Sequence, residues 1–226
     1  MYLVIFDCDG TLIDSQETIV HGLKVGFETV GLEPPDRSRA LSIVGLSLDI
    51  AFQHLLEPQY HHLVPQMADA YRQSQLARRA AGLDHNPLYP GAVAALDALG
   101  ARPDVLLGIA TGKAMRGVVH MQEVHGLEGR FVTIQTADRA PSKPNPGMIL
   151  QAMDETGVAP ERTVMIGDTS YDMEMAKNAG VGAIAVTWGY HDRAQLEAGG
   201  ADVLIDRFDQ LEQVVADRFC WDRDLV

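Results

Sequence analysis

The first apolar block of the chain is Tyr2-Leu3-Val4-Ile5-Phe6. A short, unbroken run of this kind predicts a strand buried on both faces of a parallel sheet. The pattern then changes period. Ile19, Leu23, Phe27 and Val30 recur at helical spacing, Leu48, Phe52, Leu55 and Leu56 make a second stripe, and Tyr60, Leu63, Val64, Met67 and Tyr71 a third. Asp14 with Glu17 three residues on predicts a capping box at the head of the first helix, and Gly31 with Pro34-Pro35 ends it. Asp84-His85-Asn86-Pro87-Leu88-Tyr89-Pro90-Gly91 reads as a turn-rich linker.

Beyond the linker, strands and helices alternate. Strands are expected at Val105 to Ala110, Phe131 to Gln135, Thr163 to Ile166, Ala183 to Val186 and Val203 to Ile205. Helices are expected at Ala92 to Gly100, Ala114 to Val124, Gly147 to Thr156, Tyr171 to Ala179 and Asp209 to Phe219. This alternation predicts an α/β fold with a doubly wound parallel sheet that includes the first strand. Residues 1–14 and 84–226 are then the α/β core, and residues 15–83 form an all-helical domain inserted after the first strand.

Composition narrows the function. The formal net charge of −13 argues against a nucleic-acid backbone as the main partner, because that requires a basic surface. The two cysteines, Cys8 and Cys220, lie near opposite ends, and Cys8 sits between two aspartates, a poor place for a structural disulfide. A reduced, cytoplasmic protein follows. No stretch approaches the ~18 apolar residues of a membrane span.

The candidate chemistry lies where strands are expected to end, the usual ligand side of an open parallel sheet. Asp7 and Asp9 follow the first strand, Thr111 and Gly112 the second, and Asp168 with Asp172 the strand ending at Ile166. Lys143 stands among prolines at 141, 144 and 146, which hold its backbone outside helix and sheet. Singly, each has a plain reading: Thr111 as a helix N-cap, Lys143 as a surface lysine, Asp168 as a loop cap and Asp172 as an acid favoured by a helix dipole. Together at one end of one sheet, the acids suit a hard cation such as Mg²⁺, which takes one or two carboxylates plus phosphate oxygens and water. Two motif matches fail. Gly108 to Lys113 is one residue short of a P-loop and is followed by Ala114, and Asp7-Cys8-Asp9-Gly10 has its glycine at the wrong position for an EF-hand.

These motifs resemble those of the haloacid dehalogenase-like hydrolase superfamily, known chiefly for phosphatases. The resemblance spans essentially the whole chain. Asp7-Cys8-Asp9-Gly10-Thr11-Leu12 looks like its nucleophile motif, Thr111 its second, Lys143 its third, and Gly167-Asp168 with Asp172 its acidic fourth. The helical insertion is similar to the family's small cap, and Ser142-Lys143-Pro144 looks most like phosphoglycolate phosphatase-type members. The resemblance implies a phosphatase acting on small phosphorylated metabolites through an aspartyl-phosphate. In it Asp7 is the nucleophile and Asp9 the acid and base. Thr111, Gly112 and Lys143 bind phosphate. Mg²⁺ is held by Asp7, the backbone carbonyl of Asp9, and Asp168, with Asp172 in support. Gly112-Lys113 departs modestly from the family's usual second motif, and Lys113 is expected to face solvent. Ile43-Val44-Gly45-Leu46-Ser47-Leu48 resembles a cap loop that reaches the active site, although a plain helix-helix connection reads equally well. Arg72, Arg78 and Arg79 could face a substrate anion, whereas His54, His61 and His62 lack a zinc spacing. Cap opening about residues 14 and 84 would gate entry. The rival readings are a phosphosugar mutase on the same scaffold and a non-catalytic phosphate-binding or receiver-like module.

Overall fold

A computed structural model describes residues 1–84 and 86–221; His85, within the expected linker, lies outside the described residues. Six parallel strands form one sheet: β1 (Tyr2–Phe6), β2 (Val105–Thr111), β3 (Thr133–Thr136), β4 (Thr163–Gly167), β5 (Gly182–Val186) and β6 (Val203–Ile205). Their order is β3-β2-β1-β4-β5-β6, all neighbours parallel. The chain therefore builds outward from β1 to one edge, then returns to β1 and builds outward to the other. The carboxyl ends of β1 and β4 flank the point of reversal, where open α/β sheets leave a crevice.

Alternation along β1 explains why the whole run is apolar. Tyr2, Val4 and Phe6 join a core with the helices α5 (Ala92–Gly100), α6 (Met115–His125) and α10 (Leu211–Phe219). Leu3 and Ile5 face the opposite layer, made by α7 (Gly147–Thr156), α8 (Ser170–Ala179) and α9 (Arg193–Ala198). Each fully buried side chain of this size contributes roughly 1.5–3 kcal/mol.

The helical stripes fold into α1 (Gln16–Thr29), α2 (Arg37–Leu41), α3 (Leu48–Leu55) and α4 (Val64–Ala80). They close around a separate core that includes Leu23, Phe27, Phe52 and Met67. Among the described residues no helix is long and apolar enough to cross a membrane.

Four local expectations need correction. Ser15, not Asp14, occupies the N-cap position of α1 and makes no side-chain cap bond, and no capping box forms: Glu17 turns instead to Arg37 at 2.7 Å. The third stripe is broken. Tyr60 and Leu63 belong to a 3-10 turn at Pro58–Leu63, and α4 begins at Val64, with prolines opening both pieces. Phe131 precedes β3, although its ring is buried in the core. The final helix enters through a 3-10 turn at Phe208–Gln210, so α10 itself begins at Leu211. The pattern also missed α9, whose six residues bury only Leu196, too few for a periodic signal; its Asp192–Gln195 capping box was the cue.

Candidate active site

Asp7 is the first residue past β1. Its N–H still donates to the Ile166 carbonyl at 2.9 Å, so the ladder to β4 fixes its backbone. The chain then winds tightly, with the N–H groups of Thr11, Leu12 and Ile13 all reaching the Cys8 carbonyl. Gly10 makes the turn with φ +83°, and a Cβ there would lie 2.1 Å from Asp168 Oδ2. Only glycine meets both demands.

The floor of the site is fully buried. Lys143 Nζ lies 2.9 Å from Asp7 Oδ2 and 2.6 Å from Asp172 Oδ1. The plain reading of Lys143 as a surface lysine fails: the Pro-rich segment pins it under the strand ends, 1% exposed. Asp172 also accepts from Thr169 N (3.1 Å) and Oγ1 (2.7 Å), completing the capping box of α8, so its helix-end role and its ion pair coexist. Asp168 accepts from Thr11 Oγ1 at 2.8 Å and Tyr190 N at 2.9 Å. Asp7, Asp168 and Asp172 each bring a carboxylate oxygen within 4.8 Å of the others.

Three buried carboxylates face one ammonium. Burial pushes the Asp7 carboxyl from 3.8 up to about 6, against the pull of Lys143 and with help from Asp172 and Asp9. Burial, then Asp172 and Asp7, hold Asp168 well above its ordinary value. Burial alone would depress Lys143, but Asp172 and Asp7 outweigh it and raise the ammonium. Asp7 Oδ2, moreover, is buried with no aligned hydrogen-bond donor, although the Lys143 charge is near. An orphaned oxygen in an acidic, oxygen-only cluster fits a hard divalent cation.

The wall is built differently. The Asp9 carboxylate turns away from the acidic cluster: its Oδ1 receives Ser15 Oγ at 2.6 Å and Lys113 Nζ at 2.9 Å. Lys113 therefore does not point to solvent. Only residues 112–114 separate β2 from α6, and this short turn folds the side chain back onto Asp9. Burial works against the Lys113 charge, but Asp9 overrides it and holds the ammonium above its ordinary value. Thr111 is not the helix cap; Ala114 holds that place. Thr111 ends β2, buried, and its Oγ1 accepts from Lys113 N at 3.2 Å.

Helical residues close the site from above. A Cβ on Gly112 would lie 2.6 Å from the Gly45 carbonyl and 2.7 Å from that of Leu46, so the second motif and the loop between α2 and α3 meet backbone to backbone. Ser47 N donates to Ser142 Oγ at 2.9 Å, and His191 Nε2 lies 3.0 Å from the Ser42 carbonyl. A cavity of about 470 Å³ lies between, lined by Asp7, Asp9 and Lys113 below and by the Ile43–Leu48 stretch and Tyr71 above. Arg72 and Arg79 reach it too, whereas Arg78 donates to the Leu83 carbonyl at 2.6 Å. His61 and His62 bond to nearby backbone carbonyls, and neither they nor His54 line the cavity.

The family model for haloacid dehalogenase-like hydrolases matches residues 4–186. The chain belongs to this family.

Its relatives agree with that membership. The chain is 35% identical over 212 residues to the probable phosphatase IndB of Dickeya dadantii, covering 92% of this chain and 91% of that one. It is 32% identical to a phosphoglycolate phosphatase of Chromobacterium violaceum, over 92% and 93% of the two chains. A haloacid dehalogenase-like hydrolase structure from Streptococcus pneumoniae superposes with a TM-score of 0.79 at 25% identity, over 95% of this chain and 98% of that one. The resemblance read from the four motifs holds, and the chain is an enzyme of the family's phosphatase type.

Within this haloacid dehalogenase-like site, sequence reasoning missed Thr11, Ser15 and Tyr190. Thr11 lies within the first motif and Ser15 just after it, where any hydroxyl is a ready partner for its aspartates. Tyr190 lies four residues past the carboxyl end of β5. Its hydroxyl lies 3.2 Å from Ser15 N and 3.3 Å from Ser15 Oγ, so one residue touches both Asp168 and the hydroxyl that holds Asp9.

Proposed function

We propose that the protein is a Mg²⁺-dependent phosphomonoesterase that hydrolyses small phosphorylated metabolites through an aspartyl-phosphate on Asp7. One observation carries the reading: Asp7 stands at the point of strand reversal with an undonated oxygen, beside Lys143 and two further carboxylates, and borders the cavity. The relatives named phosphatases point the same way.

In this reading an oxygen of Asp7 attacks phosphorus, and the bond to the ester oxygen breaks. Asp9 gives its proton to that leaving oxygen and then takes one from the water that attacks the phosphoenzyme; Asp7 and inorganic phosphate are released. Lys143, Thr111 and the Gly112 N–H hold the phosphoryl oxygens, where charge accumulates. Asp7, Asp168, Asp172 and the Asp9 carbonyl would hold Mg²⁺, which when bound screens the nucleophile from the phosphate dianion. Residues 15–83 act as a cap over a core of residues 1–14 and 84–226, and the cap's loop at 43–48 excludes water from the closed site. Both cysteines are free, which suits a reducing cytoplasm.

The test is phosphate release from a panel of phosphorylated metabolites, with Mg²⁺ and with excess chelator, by the wild type and Asp7→Asn. Release should require the metal and fall by at least about a thousandfold in the variant. Full activity in Asp7→Asn would remove the nucleophile. Interconversion of hexose 1- and 6-phosphates without phosphate release would replace the phosphatase with a mutase.

A further inference from the structure

The loop between α2 and α3 is held at both ends by side chains of the α/β core. At its far end Ser47 N donates to Ser142 Oγ at 2.9 Å. At its near end the Ser42 carbonyl, which closes α2, receives two donors: His191 Nε2 at 3.0 Å and the Tyr171 hydroxyl at 3.3 Å. Between them Gly45, at φ +97°, passes over the head of α8, where a Cβ would lie 3.1 Å from Thr169 Oγ1.

The two nitrogens of the buried His191 ring have separate duties. Ser170 N donates to Nδ1 at 3.0 Å, which leaves the ring proton on Nε2, the nitrogen that faces Ser42. Tyr171 packs edge-on against the ring, with centroids 5.3 Å apart. The backbone is fixed as well. His191 N donates to the Asp168 carbonyl at 3.3 Å, and Tyr190 N to Asp168 Oδ2 at 2.9 Å. One imidazole therefore joins an N–H in the first turn of α8, the helix that carries Asp172, to a carbonyl of the helical unit.

We propose that His191 is a positioning residue whose Nε2–H clamps the 42–47 loop over the cavity, with Tyr171 as the second donor. That loop supplies Ile43, Val44 and Leu46 to the cavity roof, so the clamp keeps the cavity covered. The proposal rests on the reading that the helical unit opens and closes as a cap. Opening must break the bonds to Ser42, and one such bond shifts the ratio of open to closed forms by about fivefold.

The experiment compares wild type, His191→Asn, His191→Gln and Tyr171→Phe. Asparagine keeps an acceptor near the Nδ1 position but is too short to reach Ser42, whereas glutamine carries a donor out to the Nε2 position. Amide hydrogen exchange in the free protein reads the clamp without any substrate. His191→Asn should speed exchange in peptides covering 42–47 by about fivefold and leave those of α8 unchanged. His191→Gln should stay near wild type in the loop, and Tyr171→Phe should fall between the two because its bond is longer. With whichever ester is hydrolysed fastest, kcat/KM of His191→Asn should fall by about fivefold and kcat by less, since a weaker clamp also releases product sooner. Unchanged loop exchange in His191→Asn overturns the proposal. So does the reverse pattern, an impaired His191→Gln beside a wild-type-like His191→Asn, which would mean that the ring serves only the head of α8. The expected exchange pattern in a protein that hydrolyses no ester keeps the clamp and removes the phosphatase reading.

Discussion

The floor around Asp7 and the wall around Asp9 hold their carboxylates in opposite ways. The floor is made by strand ends, their loops and the first turn of α8, with Lys143, Asp168 and Asp172 each no more than 1% exposed. It is short of positive charge, and burial first, then the neighbouring carboxylates, displaces Asp7 and Asp168 upward. The wall is balanced, since Asp9 is matched by Lys113, and it is shared, since Ser15 heads the first helix of the insertion. A buried centre that lacks a cation suits a group that must stay in one place and bind an ion. A balanced, half-open pair suits a group that must exchange partners with each substrate. The two aspartates, only two residues apart, differ because one continues the β1–β4 ladder and the other has already entered the turn.

The sharpest way to break this comparison is Lys143→Met. It leaves Asp7 and Asp172 buried without their cation, and losing one partner of a buried pair costs about 3–5 kcal/mol. It also removes a donor to the phosphoryl group, worth roughly 10²–10³ in kcat. Denaturant unfolding and steady-state kinetics on one variant read both effects. A variant of near wild-type stability would mean that the floor is not the rigid charge centre described here.

The second test concerns charge and pH. Asp7 binds its proton more tightly when folded, near pH 6, than at its ordinary 3.8. Between those values the folded state holds more protons than the unfolded one, so this contribution is full below about pH 4 and lost as pH rises through about 6. The metal-free protein should therefore lose on the order of 3 kcal/mol across that window from Asp7. Thermal melts from pH 4 to 7, with chelator and with Mg²⁺, measure it. Mg²⁺ should raise Tm most at pH 7 and little at pH 4, and Asp7→Asn should flatten the metal-free slope. An equal Mg²⁺ effect at both pH values would place the ion elsewhere.

Much of this was legible along the chain. Strand ends were readable because β1, β2 and β4 are short apolar runs that stop at polar residues, and that alone brought Asp7, Thr111 and Asp168 to one side. Lys143 and Lys113 were not legible as buried groups. Their burial depends on what packs over them: the floor carboxylates for one, and Asp9 with the helical residues for the other. The capping box at Asp14 failed for a related reason. A short-range pattern predicts the favoured local bond, but Arg37 from α2 offered Glu17 a charged partner instead.

The smallest effect is the most specific to the wall. Tyr190 OH, Ser15 Oγ and Asp9 Oδ1 form a chain of contacts at 3.3 and 2.6 Å, starting from a residue that also binds Asp168 through its backbone. Ser15→Ala removes the middle member, and one neutral-to-charged hydrogen bond is worth about 1.5 kcal/mol, or roughly tenfold in kcat. Tyr190→Phe should cost less, because it leaves the Ser15–Asp9 bond in place. If the Ser15 hydroxyl relays the tyrosine to Asp9, the double variant should cost less than the sum of the single ones, since the tyrosine hydroxyl then keeps only the residue-15 N–H as a partner. Strict additivity would mean that the Tyr190 hydroxyl acts on the wall through the residue-15 N–H and not through the Ser15 hydroxyl. The wall would then be set by where the backbone of α1 begins, and its contrast with the floor would be one of exposure and not of construction.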